Sequence, residues 1–108
     1  MEFIIDLLKS HTSIRKFTDQ SIEESLLFSL IEAGQGAATS SFLQGTTVIR
    51  IQNMETRCQI ADLCGGQKYV ENAAEFLIFC ADLKRSKNCC DKHQVEFEGG
   101  YTEQFIIA

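Results

Sequence analysis

The sequence predicts an α/β (α+β) fold in which several helices accompany two short strands. Three observations support this class. Apolar residues recur at helical spacing in separate stretches, two runs have the length and composition of strands, and 44% of the 108 residues are hydrophobic. Because the hydrophobic residues are spread along the whole chain, we expect a packed core and not a disordered segment.

The first predicted element is a helix at residues 3–9, with four apolar residues on one side: Phe3, Ile4, Leu7 and Leu8. A polar connection follows at residues 11–20. The second helix begins at Ile22, and its apolar residues keep helical spacing as far as Ala33.

Both ends of this second helix have sequence signals. Ser21 and Glu24 lie three residues apart, which is the spacing of a capping box at a helix N-terminus. Gly34 and Gly36 indicate where the helix ends. Residues 37–44 are small and polar, and we expect them to form a loop.

The next elements alternate between strands and helices. Residues 46–51 are rich in β-branched side chains and predict a strand. Residues 55–64 predict a helix that is closed by Gly65-Gly66, and residues 68–74 predict a short helical turn. Residues 75–82 contain a continuous apolar run, F-L-I-F-C-A, which suits a buried strand.

The last part of the chain is harder to assign. Residues 84–100 are polar and show no clear period, and residues 101–108 predict a helix that stops in mid-pattern. Two strands are too few for a sheet that is stable by itself. We therefore expect part of the fold to be missing.

Composition excludes several kinds of function. The net charge is −5 and no basic block is present, which argues against binding nucleic acid or anionic membranes. We also expect no signal peptide, because the apolar start contains Glu2 and Asp6 and lacks a basic leading region. The expected location is the cytoplasm.

Five cysteines lie at positions 58, 64, 80, 89 and 90, and none forms a C-x-x-C pair. An odd number at irregular spacing suits reduced thiols in the cytosol. Cys89 and Cys90, with His93 nearby, are open to two interpretations. They form either a redox or metal pair or two incidental thiols in a polar loop, and we favour the latter because structural zinc needs four regularly spaced ligands.

One segment has the donors expected at an anion site. In an extended backbone His11, Ser13 and Arg15 point to the same side, since side chains alternate. An imidazole, a hydroxyl and a guanidinium together suit a phosphate group. The alternative is a solvated loop, which the pattern alone favours.

Two further segments are candidates for ligand binding. Thr39, Ser40 and Ser41 offer hydroxyls in a loop between a helix and a strand, although the segment alone favours a plain helix-to-strand connection. Gln67 follows Gly65-Gly66, and its amide matches the alternating donors and acceptors at the edge of a heterocycle. The alternative for this segment is a helix end followed by an exposed Gln.

Five motifs occur together in order: H-x-S-I-R-x-F-T-D, T-S-S-F-L-Q, V-I-R-I, G-G-Q-K-Y-V and A-A-E-F-L-I-F-C-A-D-L. The ordered set resembles the flavin reductase and oxygen-insensitive NADPH nitroreductase branch of the nitroreductase superfamily. The resemblance covers essentially the whole chain. It implies the nitroreductase-like FMN-binding fold, with helices packed on a small mixed or antiparallel sheet. Residues 1–108 would be its N-terminal portion, in a truncated form.

The resemblance also implies an activity. Members of the branch bind FMN at the interface of an intertwined homodimer and transfer a hydride from NAD(P)H to it. The electrons then pass to a small-molecule acceptor such as a nitro compound, a quinone or another flavin. No side chain is needed as a catalytic acid or base, because the cofactor carries the redox chemistry.

The implied residues divide between the two ends of FMN. His11 and Ser13 would hold the phosphate, and Arg15 would reach the phosphate or the N1/O2 edge of the ring. Gln67 would bind the pyrimidine edge. Three hydroxyl residues would contact the flavin that is bound largely by the other subunit: Thr39, Ser40 and Ser41.

The sequence departs from the pattern of the branch in three places. Thr12, which we include in the phosphate site, stands where many relatives carry Arg, and Gln20-Ser21 replaces the usual proline. Relatives are also more than twice as long. The alternative function is therefore a truncated, non-catalytic fragment that binds no flavin or needs a partner chain. An unrelated small α/β binding domain is a third hypothesis, which the ordered motifs disfavour.

Overall fold

The computed structural model describes residues 2–107, and within them six helices and two strands are formed. In chain order they are α1 (Glu2–Lys9), α2 (Glu24–Gln35), β1 (Thr46–Arg50), α3 (Met54–Leu63), α4 (Lys68–Asn72), β2 (Leu77–Ala81), α5 (Lys84–Lys92) and α6 (Tyr101–Ile107). The α/β (α+β) class and the order of the predicted elements are confirmed, and α5 is an additional helix. Position 108, the end of the last predicted helix, lies outside the described residues.

Helix α1 is amphipathic, as its sequence predicts. Glu2 in its first turn and Lys9 in its last complement the partial charges at the helix ends. The apolar side is nevertheless open to solvent, because Phe3 is 77% exposed and Leu8 is 72% exposed. The described residues therefore provide no cover for the side of α1 that its sequence marks as buried.

Helix α2 begins without the predicted capping box, so that prediction is wrong. The N-cap is Glu23, and no side chain caps the first turn. The helix begins at Glu24, so Ser21 lies outside the N-cap position, and the Glu24 carboxylate instead accepts a hydrogen bond from Arg50 at 2.7 Å. The predicted end is confirmed, since α2 stops at Gln35 with Gly36 as its C-cap.

The two strands form one antiparallel pair, in which Val48 lies opposite Phe79. Two bonds extend the ladder beyond the strands, from the Ile51 N–H to the Phe76 carbonyl at 3.0 Å and from the Asp82 N–H to the Gly45 carbonyl at 2.7 Å. Along an antiparallel ladder, residue pairs joined by hydrogen bonds alternate with pairs that are not, and Val48–Phe79 is a pair of the second kind. The backbone groups of Val48 and Phe79 therefore point away from the pair, towards its outer edges.

The prediction that the second strand is buried is wrong for the described residues. Phe79 is 68% exposed, and no residue of β2 is fully buried. A continuous apolar run needs cover on both sides of the sheet. In this pair β1 lies along one edge of β2 and α6 makes a few contacts with it.

Among the helices, α3 packs against α4. Asn53 caps α3, because its Oδ1 accepts a hydrogen bond from the Thr56 N–H at 2.8 Å. Ala61 of α3 is fully buried and Val70 of α4 is 4% exposed, while Leu27 of α2 is 3% exposed. These three side chains are the buried hydrophobic residues of the described chain.

Helix α5 falls in the stretch whose sequence shows no clear period. Lys87 and Asp91 form an ion pair one turn apart at 2.8 Å, and such pairs support an exposed helix. Cys89 and Cys90 lie in this helix, so the interpretation that places them in a polar loop is wrong in its structural part. Because its sequence is polar, α5 can remain in solvent, and none of its residues is buried.

The chain is large for its mass. Its radius of gyration is 17.6 Å, whereas a compact domain of this length has about 13 Å. Its accessible surface is 9207 Å², compared with about 6,000 Å² for a compact monomer of 12.1 kDa. The large radius shows that the chain is not compact. The large accessible area shows that it exposes surface which a compact protein of this mass would bury.

Candidate functional site

The segment 11–17 follows α1 without helix or strand. The side chains of His11, Thr12, Ser13 and Arg15 are all exposed. None of these four side chains makes a hydrogen bond or ion pair to another described residue. Their donors are therefore available to a ligand from outside the segment.

An aromatic contact joins this segment to the third predicted segment. The rings of Phe17 and Tyr69 meet edge to face, with their centroids 6.4 Å apart. The Tyr69 hydroxyl in turn donates a hydrogen bond to Oε1 of Gln67. The candidate anion segment and the candidate amide are thus linked through two aromatic side chains.

The turn before Gln67 is set by the paired glycines. Gly65 and Gly66 have φ values of 81° and 72°, in the left-handed region that favours glycine. The Gly66 N–H donates to the Ala61 carbonyl at 2.8 Å, and the Gly65 N–H donates to the Asp62 carbonyl at 3.1 Å. This is the Schellman motif, which ends α3 and leads directly to Gln67 as the N-cap of α4.

The second predicted segment, residues 39–44, lies in a strained loop. Ser41, Phe42 and Gln44 have φ values of 51°, 55° and 49°, which residues other than glycine rarely adopt. The loop is polar as predicted and turns tightly at Ser40–Phe42, where the backbone of Ser41 is not helical. Among the described residues, no hydrogen bond or ion pair joins residues 39–41 to either of the other two candidate segments.

The loop is anchored to the start of α5. Arg85 donates through one nitrogen, Nη2, to the Leu43 carbonyl at 3.1 Å and to the Gln44 side chain and carbonyl at 3.3 and 3.5 Å. Asp82 lies beside this contact and bonds Thr47, since the Thr47 hydroxyl donates to its Oδ2 at 2.6 Å. The bond from Thr47 lowers the pKa of Asp82, and the Lys84 N–H adds to this effect.

A cleft of about 580 Å³ lies next to Phe17. Arg57, at its wall, is only 5% exposed and donates to the Ile51 carbonyl at 2.8 Å and the Ala73 carbonyl at 2.6 Å. These bonds satisfy carbonyls at the end of β1 and after α4, so Arg57 has a structural role. Asp19 and Glu71 also line the cleft, which makes its wall mixed in charge.

A second arginine holds three elements together. Arg50 binds Glu75 through two parallel bonds of 2.8 and 2.5 Å, and it binds Glu24 at 2.7 Å. The hydrogen bonds from Arg50 lower the pKa of Glu75, and those with Glu75 and then Glu24 raise the pKa of Arg50. This cluster joins β1, α2 and the residues before β2, and it is not part of the three candidate segments.

The remaining candidates give no further site. All five cysteines are free thiols, and Cys64 and Cys89 are exposed. Within residues 2–107, no group of three or more His, Cys, Asp or Glu side chains is placed to hold a metal ion. No helix in that part of the chain is both long enough and apolar enough to cross a membrane.

Two residues at these segments were not singled out from the sequence. Tyr69 was visible in the G-G-Q-K-Y-V motif, as an aromatic residue two positions from the candidate amide. Arg85 gave no signal, because its partners Leu43 and Gln44 lie more than 40 positions earlier in the chain. A single sequence contains no sign of such a contact.

Residues 8–107 match the family model described as the Nitroreductase family. An oxygen-insensitive NADPH nitroreductase from Salmonella typhimurium is 40% identical over 103 residues, which are 95% of this chain and 41% of that protein. An NAD(P)H FMN reductase from Bacillus subtilis is 39% identical over 99 residues, which are 91% of this chain and 40% of that protein. This chain thus spans about two fifths of the length of the curated relatives it matches.

A solved structure gives the same relation. Nitroreductase A from Vibrio parahaemolyticus superimposes with a TM-score of 0.89 at 38% identity. The match covers 99% of this chain and 44% of that one. The fold expected from the motifs, with helices on a small antiparallel sheet, is confirmed.

Proposed function

This chain belongs to the nitroreductase family, and from that membership we propose that residues 1–108 are the N-terminal portion of an FMN-dependent NAD(P)H oxidoreductase. The activity is hydride transfer from NAD(P)H to FMN, followed by reduction of a nitro compound, a quinone or another flavin. The names of the relatives from Salmonella and Bacillus support it. Within the molecule, the observation that carries the proposal is the Phe17–Tyr69 contact, which joins the two segments that would bind FMN.

The donors of this chain fit the two ends of FMN. His11, Ser13 and Arg15 are exposed and have no partner among the described residues, so they can bind the phosphate, and Thr12 adds a hydroxyl. The Gln67 carbonyl oxygen accepts a bond from Tyr69, which leaves the amide N–H groups for acceptors on the pyrimidine edge. The proposed roles are therefore compatible with the hydrogen bonds already made.

The chemistry that FMN supplies when it is bound is acceptance of a hydride and donation of electrons. The part of the protein is to bind and orient it. Arg15 brings a positive charge, which would stabilise negative charge on the phosphate or at the ring edge. We assign no side chain of this chain as a catalytic acid or base.

We propose that the active form is a homodimer. Thr39, Ser40 and Ser41 would contact the flavin that is bound largely by the partner subunit. In support, no hydrogen bond among the described residues joins residues 39–41 to the other two candidate segments. Residues 39–41 of one subunit can therefore contact an FMN that is held by the other two segments of its partner.

We also propose that this protein acts in the cytoplasm on small-molecule electron acceptors. All five of its cysteines carry free thiols, which supports a reducing compartment.

A second candidate function is favoured by the exposed surface. The chain exposes roughly 1.5 times the surface of a compact monomer of its mass. Large apolar patches in water lead to association or aggregation. The second candidate is therefore a fragment that binds no flavin by itself, or that does so only with a partner chain.

An FMN titration of the purified chain tests both candidates. Quenching of flavin fluorescence gives the dissociation constant, and light scattering gives the mass at each point. We expect saturable binding, and we expect Arg15→Ala to weaken it about tenfold, because a hydrogen bond to a charged group contributes about 1.5 kcal/mol. Gln67→Ala should also weaken binding, by removing the bond to the pyrimidine edge.

Each variant has a control that removes a side chain of similar chemistry. Lys16→Ala removes the neighbouring exposed cation, and Gln59→Ala removes an exposed amide on α3. Both controls should keep the dissociation constant within about twofold of the original chain, since surface substitutions usually have small effects. Equal losses in variant and control would contradict the assigned roles, and absence of saturable binding would favour the second candidate.

A further inference from the structure

We propose that Arg85 is a positioning residue that fixes the loop at residues 39–44 in its ligand-binding conformation. The assignment of this loop to the flavin rests on the proposed function. The contact between Arg85 and the loop does not, because it is present in the chain without any ligand.

The loop needs an external support. Ser41, Phe42 and Gln44 all have left-handed backbone conformations, each of which costs free energy in a residue with a Cβ atom. Such conformations persist only when surrounding contacts hold them in place. Three of them within four residues make relaxation of an unsupported loop favourable.

Local hydrogen bonds support only part of the loop. The Phe42 N–H donates to the Thr39 carbonyl at 3.1 Å, and the Gln44 N–H donates to the Thr39 hydroxyl at 3.1 Å. Both partners belong to the loop itself. These bonds can therefore move with the loop and do not fix its position on the rest of the protein.

Arg85 supplies the connection to the rest of the protein. Its Nη2 lies 3.1 Å from the Leu43 carbonyl oxygen and 3.3 Å from Oε1 of Gln44. The bonds are charge-assisted because the guanidinium carries a positive charge. They act on Leu43 and Gln44, at the end of the loop, and so limit how far the loop can move.

The base of Arg85 is itself held in place. Asp82 accepts a bond from the Lys84 N–H at 2.9 Å, which fixes the first turn of α5. The Asp82 N–H donates to the Gly45 carbonyl at 2.7 Å, immediately after the loop. The start of α5 and the end of the loop therefore form one connected unit, and Arg85 extends this unit to residues 43 and 44.

Arg85 is exposed, so it contributes little to the stability of the whole chain. Its loss should therefore change the loop without changing global unfolding. This separates a positioning role from a general structural one, and it makes the proposal measurable.

The test is amide hydrogen exchange of the ligand-free chain, with urea unfolding as a measure of global stability. In Arg85→Ala we expect the amides of Phe42, Leu43 and Gln44 to exchange about fivefold faster, with the unfolding midpoint unchanged. Because one nitrogen makes all three bonds, Arg85→Lys should restore about half of the lost protection. Lys87→Ala, which removes an exposed cation paired with Asp91 on the same helix, should leave the loop unchanged.

The proposal is overturned if exchange in the loop is the same in Arg85→Ala and the original chain, or if it rises equally in α3 and β2. A second readout is the FMN dissociation constant, which we expect to rise about fivefold in Arg85→Ala and to recover in Arg85→Lys. Faster exchange with unchanged FMN affinity would overturn the role in flavin binding. If the original chain binds no FMN, the proposed function fails, and the exchange data still decide whether Arg85 holds the loop.

Discussion

At the scale of single residues, Arg50 connects three distant parts of the chain. It lies in β1, binds Glu24 at the start of α2 and binds Glu75 ahead of β2. The Glu75 side chain is only 14% exposed, so this pair is screened less by water than the exposed pair of Lys87 and Asp91. The hydrogen bonds from Arg50 hold the pKa of Glu75 below the usual 4.5.

This shift gives a prediction about acid stability. A carboxylate whose pKa is lower in the folded state stabilises the fold at pH values above its unfolded pKa, and the contribution is lost as the pH falls through the folded pKa. Stability should therefore decrease as the pH falls below about 4.5. In Glu75→Gln we expect lower stability at pH 7 and a weaker dependence on pH below 5, measured as urea midpoints between pH 3 and pH 7.

The control for this prediction is Glu55→Gln, which changes an exposed carboxylate in the first turn of α3. It should retain the pH dependence of the original chain. Asp82 also has a lowered pKa, so some pH dependence of the same sign will remain in Glu75→Gln. A pH profile of Glu75→Gln identical to that of the original chain would show that the pair with Arg50 does not contribute.

Single residues also show what a sequence can and cannot predict about the site. Arg15, Gln67 and the three hydroxyls are predicted from local motifs. All except Thr39 are exposed and so available for those roles, whereas Thr39 is half-buried and its hydroxyl accepts a hydrogen bond from the Gln44 N–H. The partner that orients Gln67, Tyr69, lies two positions away and was within reach of the same motif. Arg85 was not, because nothing in its local sequence indicates a contact more than 40 positions away.

At the scale of elements, the turn between α3 and α4 depends on its two glycines. Gly65 has a φ of 81°, and Gly65→Ala should destabilise the chain by about 1 kcal/mol or more, because a Cβ atom disfavours this region. Urea unfolding measures the change. The same substitution should also weaken FMN binding, since the turn places Gln67 as the N-cap of α4.

Gly34 provides the matched control for this substitution. It lies inside α2, and a Cβ atom built there meets no other atom within 4 Å. Gly34→Ala should therefore stabilise the chain by about 0.5 to 1 kcal/mol, because alanine is the better helix former. Two substitutions of the same chemistry should thus have opposite signs, and equal signs would contradict the explanation from backbone conformation.

The elements themselves were largely predictable, and the exceptions have physical reasons. Helices α1, α2 and α3 have apolar periodicity or clear end signals, and both strands have β-branched or apolar runs. Helix α5 has neither apolar periodicity nor an end signal. It is supported by the ion pair between Lys87 and Asp91 and by the hydrogen bond from the Lys84 N–H to Asp82. The capping box is absent because α2 begins at Glu24, after Ser21, and Glu24 instead pairs with a distant residue, Arg50.

At the scale of the whole molecule, the exposed apolar residues predict self-association. Phe3 and Leu7 lie one turn apart on α1 and are 77% and 60% exposed. We expect the mass measured by light scattering to rise above 12.1 kDa as concentration increases. Replacing both residues by Gln should reduce this rise, because it removes apolar surface from the exposed side of α1.

A paired control changes the polar residues of the same helix. Glu2→Gln with Lys9→Gln alters two exposed side chains of α1 and leaves the net charge unchanged. This variant should associate as the original chain does. A constant mass of 12.1 kDa for the original chain at all concentrations would show that the exposed surface does not lead to association.

The open shape of the chain also affects how its size is measured. A radius of gyration of 17.6 Å is that of a compact protein of about 240 residues, more than twice the length of this chain. Gel filtration separates proteins by their dimensions and not by their mass. A single copy of this chain would therefore elute where a compact dimer is expected. The mass inferred from its elution volume would be about twice its real mass.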